Sequence, residues 1–144
     1  VADLPVSILD ELTDRPVLEL DLPLVPRRPG GLPLPPLSMN DRHHWRTEHR
    51  LKKLLRTAAR AGAARARIGR CARLVVTLHY ATGDNRTRRD PANLCATSKP
   101  AIDGLVDAGL VPDDTPEFVT EHMPEIHLGP GPRRLWLTVE VTRG

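Results

Sequence analysis

The sequence predicts an α+β domain: a mixed sheet of about four strands in the order β-α-β-α-β-β, with helices packed on it. Three observations carry this prediction. Apolar and polar residues alternate over residues 17–22, 73–80 and 135–142, as in strands with one buried face. Two other stretches, 45–66 and 98–109, place apolar residues at helical spacing. Between these runs fall most of the 15 prolines and 10 glycines, which mark turns and loops. The chain has 144 residues, of which 40% are hydrophobic and 27% charged, a size and composition suited to one core.

Residues 1–16 read as an N-terminal arm, either packed or disordered, with Leu4, Val6, Ile8, Leu9 and Leu12 set among acids. Residues 17–144 then form a single domain. Its first strand, Val17 to Leu22, places Leu18, Leu20 and Leu22 on one side and Glu19 and Asp21 on the other. Pro23 ends it, and a Pro/Gly-rich loop runs over 23–38. Asn40 or Asp41 caps the first helix, from about Trp45 to Ala66. Projected around that helix, Leu51, Leu54, Leu55, Ala58 and Gly62 form the apolar side, and Arg46, Arg50, Lys53, Arg56 and Arg60 lie opposite. The second strand covers Arg73 to Tyr80. Ser98 caps a second helix, with Pro100 in its first turn and Gly109 closing it. The last strand runs from Leu135 to Thr142, with a partner around Thr120 to Leu128.

The net charge of +3 hides an asymmetry. Arg42 to Arg73 holds eleven Lys or Arg and one acid, whereas Ala101 to Glu125 holds seven acids and no Lys or Arg. Such a chain either holds a polyanion near a carboxylate cluster or carries a salt-bridged surface. Arginine outnumbers lysine 18 to 3, which favours bidentate phosphate contacts. Two cysteines, Cys71 and Cys95, are too few for a disulfide framework and suit a reducing, cytoplasmic setting. No apolar run approaches the roughly 18 residues of a membrane span, and neither a zinc-ligand spacing nor a glycine-rich phosphate loop is present.

Two groups of acids stand beside isolated basic residues. Asp90 ends the basic loop Arg86-Thr87-Arg88-Arg89, and Asp113 and Asp114 follow the second helix. Carboxylates from separate segments can hold hard divalent ions against a phosphate. Lys99, the sole lysine outside the first helix, is placed to balance phosphoryl charge. Asp103 and Asp107 read equally as an exposed acidic helix face. His43-His44-Trp45 either stacks on bases, contacts phosphate or packs beneath the first helix.

The blocks Arg88-Arg89-Asp90-Pro91-Ala92-Asn93-Leu94, Lys99-Pro100-Ala101-Ile102-Asp103-Gly104-Leu105 and Ala108-Gly109-Leu110-Val111-Pro112-Asp113-Asp114 occur in that order. Together they resemble the core of the RusA-like Holliday junction resolvases, and Leu37 to Arg46 resembles the asparagine-containing stretch after that family's first strand. The resemblance implies a homodimeric endonuclease, often encoded by a phage or prophage, that uses Mg2+, with Mn2+ as a substitute, to resolve branched DNA by paired nicks. It implies metal ligation by Asp90 and Asp114, with Asp113 beside them, and catalysis by Lys99 once about three inserted residues are allowed after Asn93. The basic residues themselves point to DNA contacts, from Arg46, Arg50, Lys53, Arg56 and Arg60 on the helix back and from Arg88 and Arg89 before Asp90, with Asn40 and Arg42 in the stretch that resembles the family's. Ala92 departs from the pattern, which has a second aspartate there. Either Asp103, Asp113 or a water fills that vacancy, or the chain is a weakened or inactive relative that binds branched DNA.

Overall fold

The computed structural model describes residues 16–86 and 89–143, so residues 1–15 of the arm, and Arg88 with them, lie outside the described residues. In chain order the elements are β1 (Val17–Leu22), β2 (Val25–Pro26), β3 (Pro33–Leu34), α1 (Trp45–Ala66), β4 (Arg73–Ala81), a 3-10 turn (Pro91–Leu94), α2 (Cys95–Asp107), β5 (Val119–Glu121), β6 (Glu125–His127) and β7 (Arg134–Thr142). The fold is α+β with a mixed sheet. β1 pairs antiparallel with β7 and β7 antiparallel with β4, and the far side of β4 carries both β5 and β6 in parallel.

The sheet therefore has five strands rather than about four. The segment Thr120 to Leu128, expected as a partner of the last strand, lies instead against β4, and it is broken in two because Pro124 has no N–H to give to a ladder. His122 N–H still reaches Val76 O at 2.9 Å before the chain leaves the sheet. The Pro/Gly-rich loop is also more regular than expected: Val25 pairs with Leu34 and Pro26 with Pro33. This small hairpin is closed by Gly31 N–H on Arg28 O and by Gly30 at φ 74°.

One face of the sheet is apolar and covered. Leu20 and Leu22, Leu74, Val76, Leu78 and Tyr80, and Leu135, Leu137, Val139 and Val141 point inward and are buried, as period-two alternation requires. From the helices, Leu51, Leu55, Ala59 and Ala63 of α1 and Ala101, Ile102 and Leu105 of α2 complete the core. The α1 stripe is thus rotated from the expected one. Leu54 lies at its edge, 39% exposed, and Ala58 is only partly buried.

Both helix starts differ from the sequence expectation. His44 caps α1, its Nδ1 accepting from Arg46 N–H at 3.2 Å. Asp41 is diverted elsewhere, accepting from Ser38 N–H at 2.7 Å and from Arg27 at 2.6 Å. Asp90 caps the 3-10 turn by accepting from Ala92 N–H, and that turn runs directly into α2. Ser98 consequently lies inside the helix, buried, with its hydroxyl donating to Leu94 O. At the C-terminus, Gly109 N–H reaches Val106 O and Leu110 N–H reaches Leu105 O. Gly109 itself has φ +85°, which gives α2 a Schellman ending.

The helices cross closely at Gly104. A Cβ at this position would stand 2.3 Å from Arg56 O and 2.9 Å from Ala59 Cβ. This approach sets the spacing of the groove between α1 and α2.

Candidate functional site

Lys99 stands where two cavities meet. One, of about 360 Å3, is walled by Lys99, Ile102, Asp114 and the β5 residues Val119, Thr120 and Glu121. The other, of about 790 Å3, lies between the helices and carries His49, Lys52, Lys53 and Arg56 from α1 opposite Lys99 and Asp103 from α2. The helical turn places Lys99 Nζ 3.1 Å from Asp103 Oδ1. The loop after α2 returns Asp114 to make a second ion pair with the same ammonium. Lys99 thus sits between Asp103 and Asp114, while Asp113 is turned to its own loop, accepting from Asp114 N–H at 2.7 Å.

Asp90 approaches from another direction. It lines a third cavity, of about 270 Å3, with Arg89, Asn93, Tyr80 and Arg27. Between the two lies Cys95 at the start of α2, whose thiol pKa is pushed up by burial and further by the charges of Glu121 and Asp90. Glu121 lines the same cavity as Asp114. Sequence reasoning missed it because only the parallel pairing of β5 with β4 carries residue 121 to this side.

Among the described residues, no three of Asp90, Asp103, Asp113, Asp114 and Glu121 bring carboxylate oxygens within 4.8 Å of one another. The donor chemistry around the start of α2, Asp90, Asp114 and Glu121, is all oxygen. That suits a hard divalent ion such as Mg2+. Ala92 adds no ligand, and of the two acids expected in its place Asp103 is engaged with Lys99 and Asp113 with its own loop.

The basic residues divide into free and committed. Arg50, Lys53 and Arg60 are exposed along α1, and Asn40 and Arg42 are exposed before it. Arg56 is not free, since its guanidinium clasps Asp107 on α2, with Nη2–Oδ1 at 2.8 Å. That hydrogen bond, followed by the Arg56 and Arg60 charges, holds the Asp107 carboxyl below its usual range. Arg89 is likewise committed, donating to both Asp84 oxygens at 2.7 and 3.0 Å and to Arg86 O. Asp84 is consequently held far below the ordinary carboxylate range, first by the Arg89 hydrogen bonds and then by Arg86 N–H. In both cases a predicted phosphate contact is a structural clasp, because an acid distant in sequence or across a turn reaches the guanidinium first.

At the entrance to α1, Trp45 is 66% exposed. The Arg46 guanidinium lies 5.2 Å from its ring centre, and the His44 ring 5.7 Å away. This cationic, aromatic stack can meet an unstacked base and a phosphate together. No family model matches the chain, and no curated protein matches it.

Proposed function

We propose that this protein is a structure-specific DNA endonuclease of the RusA-like kind, acting on four-way junctions by paired Mg2+-dependent nicks. The observation that supports the reading is the placement of Lys99 at the meeting point of the basic inter-helix groove and the acidic cavity. DNA backbone lying along α1 is held by Arg50, Lys53 and Arg60, whose contacts are indifferent to sequence. The groove delivers a phosphate to Lys99, whose Nζ offers positive charge to a non-bridging oxygen. Asp103, one turn along α2, keeps that ammonium in register. On the resemblance, Asp90 and Asp114 would hold Mg2+ or Mn2+, which would supply Lewis acidity toward the phosphate and its attacking water, and Glu121 lines the same cavity as Asp114. The biological setting is DNA recombination and repair in the cytoplasm, including that of a phage-infected bacterium. No helix among the described residues is long and apolar enough to cross a membrane. The second reading, a relative that binds branched DNA without cleaving it, is favoured by Ala92 and by the pairing of Asp114 with Lys99.

Reversing two uncommitted cations, Arg50→Glu with Lys53→Glu, is expected to weaken junction and duplex binding together. The plot of log affinity against log salt should become shallower by about 2 units, one for each lost phosphate contact. Titrations at several salt concentrations check this, and an unchanged slope would move the DNA away from α1. Arg56 is unsuitable for this test because reversing it also breaks the clasp on Asp107.

A junction presents two symmetric strands, so a C2 dimer supplies one site to each. β1 offers the edge for it: its only sheet neighbour among the described residues is β7, and Val17 is 61% exposed. Sedimentation is expected to give twice the 15.9 kDa chain mass at micromolar concentration. A monomer both with and without junction DNA would contradict the dimer.

A further inference from the structure

On the sheet face turned away from the helices, three side chains converge that the nuclease reading does not use. His79 projects from β4, and Glu125 and His127 from the neighbouring β6. Residues 125 and 127 share a face because strand side chains alternate, and the register opposes Glu125 directly to His79. His79 Nδ1 lies 2.9 Å from His127 Nε2 and 3.3 Å from Glu125 Oε2, and the last two atoms are 3.8 Å apart.

We propose that His79, Glu125 and His127 form a site for a zinc-class divalent ion, with a fourth position open to solvent. Ligand atoms about 2.05 Å from a tetrahedral zinc stand roughly 3.3 Å from one another, close to the three separations here. The donor set, two imidazoles and a carboxylate, is one that zinc uses when it leaves a position for water. It also selects against Mg2+, which prefers all-oxygen octahedral surroundings.

The surroundings hold the donors ready. His79 Nε2 lies 2.9 Å from Thr138 Oγ1 on β7, so a proton on Nε2 donates to the hydroxyl and leaves the Nδ1 lone pair facing Glu125 and His127. Such an outer hydrogen bond fixes the tautomer and ring orientation of a metal-binding histidine. Trp136 stacks against both imidazoles, with ring centres 5.0 Å from His79 and 5.4 Å from His127. Thr82 N–H also fixes the His127 carbonyl at 3.1 Å. His79 is largely covered, with 12% of its side chain exposed, whereas Glu125 and His127 are open at 57% and 45%. The open side is where an ion enters and where its remaining ligand sits.

The charges facing His79 work in opposing directions. Burial lowers its pKa first, Glu125 on β6 and Glu19 on β1 raise it, and His127 on β6 and Arg134 on β7 lower it. The net shift is downward. Protons compete with a metal ion for histidine nitrogens, so affinity at such a site falls as the pH is lowered.

The test is a Zn2+ titration of the full chain by calorimetry at pH 7.5, repeated at pH 5.5 and with Mg2+ in large excess. The wild type should bind one Zn2+ per chain with a raised thermal midpoint. Mg2+ should not displace the ion, and affinity should fall at least tenfold at the lower pH. Glu125→Gln and His127→Gln alter exposed side chains and leave the fold intact, and each should weaken Zn2+ at least tenfold. His122→Gln, away from the cluster, should not. Co2+ should quench Trp136 emission in a Trp45→Phe background, and His127→Gln should remove the quenching. Absence of Zn2+ binding by the wild type would overturn the site. So would wild-type affinity in both Glu125→Gln and His127→Gln, since the ion would then lie elsewhere. None of these outcomes depends on DNA cleavage.

Discussion

Replacing Gly104 with alanine is expected to destabilise the protein by about 3 kcal/mol, at the upper end of overpacking effects. The added methyl would stand 2.3 Å from Arg56 O, 2.9 Å from Ala59 Cβ and 3.0 Å from Arg60 N. Two of those three atoms belong to the α1 backbone, which cannot turn aside as a long side chain can. The helices would have to separate, loosening Ala59 and Leu105, both fully buried. Separation would also pull Asp107 away from Arg56. Chemical denaturation of wild type and Gly104→Ala checks the loss through the change in midpoint. A change below about 1 kcal/mol would show that the helices slide apart freely. Gly62 is the milder comparison, because its nearest obstruction is the end of the Leu20 side chain at 3.3 Å.

The strands β1, β4 and β7 and the length of α1 were legible in the sequence because each element buries one face and its alternation or helical period records that face. The register of β5 and β6 was not legible. Three residues are too few to show a period, and their partner is set by chain return rather than by pattern. The helix caps were misplaced for a related reason. Asp41 and Ser98 have the chemistry of caps, but Arg27 and Ser38 claim the first, and a 3-10 turn begun at Asp90 carries the helix past the second. For the candidate site, the spacing Lys99 to Asp103 was readable as one helical turn and Asp114 as a residue just past the second helix, but its pairing with Lys99 depends on how the loop folds back, which no local pattern records. Glu121 and the His79 cluster depend on parallel pairing with β4, which leaves no local signal. Arg56 and Arg89 looked like free cations because their acidic partners become neighbours only through helix crossing and loop closure.

Loss of the Lys99 ammonium is expected to slow junction cleavage at least about 100-fold, the scale on which one charge-stabilising donor acts. Lys99→Met keeps an unbranched side chain of similar length and removes the charge. Asp103 and Asp114 are then left without their shared partner. Asp114→Asn should produce a comparable loss, since it removes carboxylate charge from the cavity while preserving size. Glu121→Gln tests whether the acid that shares the Asp114 cavity compensates for Ala92. Its activity should fall with a higher Mg2+ requirement, and adding Ala92→Asp to it should restore part of the loss. Binding should change by no more than roughly threefold in Lys99→Met, because one phosphate contact among several is lost.

The central claim is that Lys99 marks the reacting end of a DNA-cleaving groove. Its most direct measurement is the nicking rate of a synthetic four-way junction by wild type and Lys99→Met across a Mg2+ series, with junction affinity measured in parallel without metal. The expected result is paired nicking by the wild type, at least about 100-fold slower in Lys99→Met, with affinity nearly unchanged. Equal nicking by the two proteins, or a wild type that binds the junction tightly yet leaves it uncut at every Mg2+ and Mn2+ concentration, would contradict it.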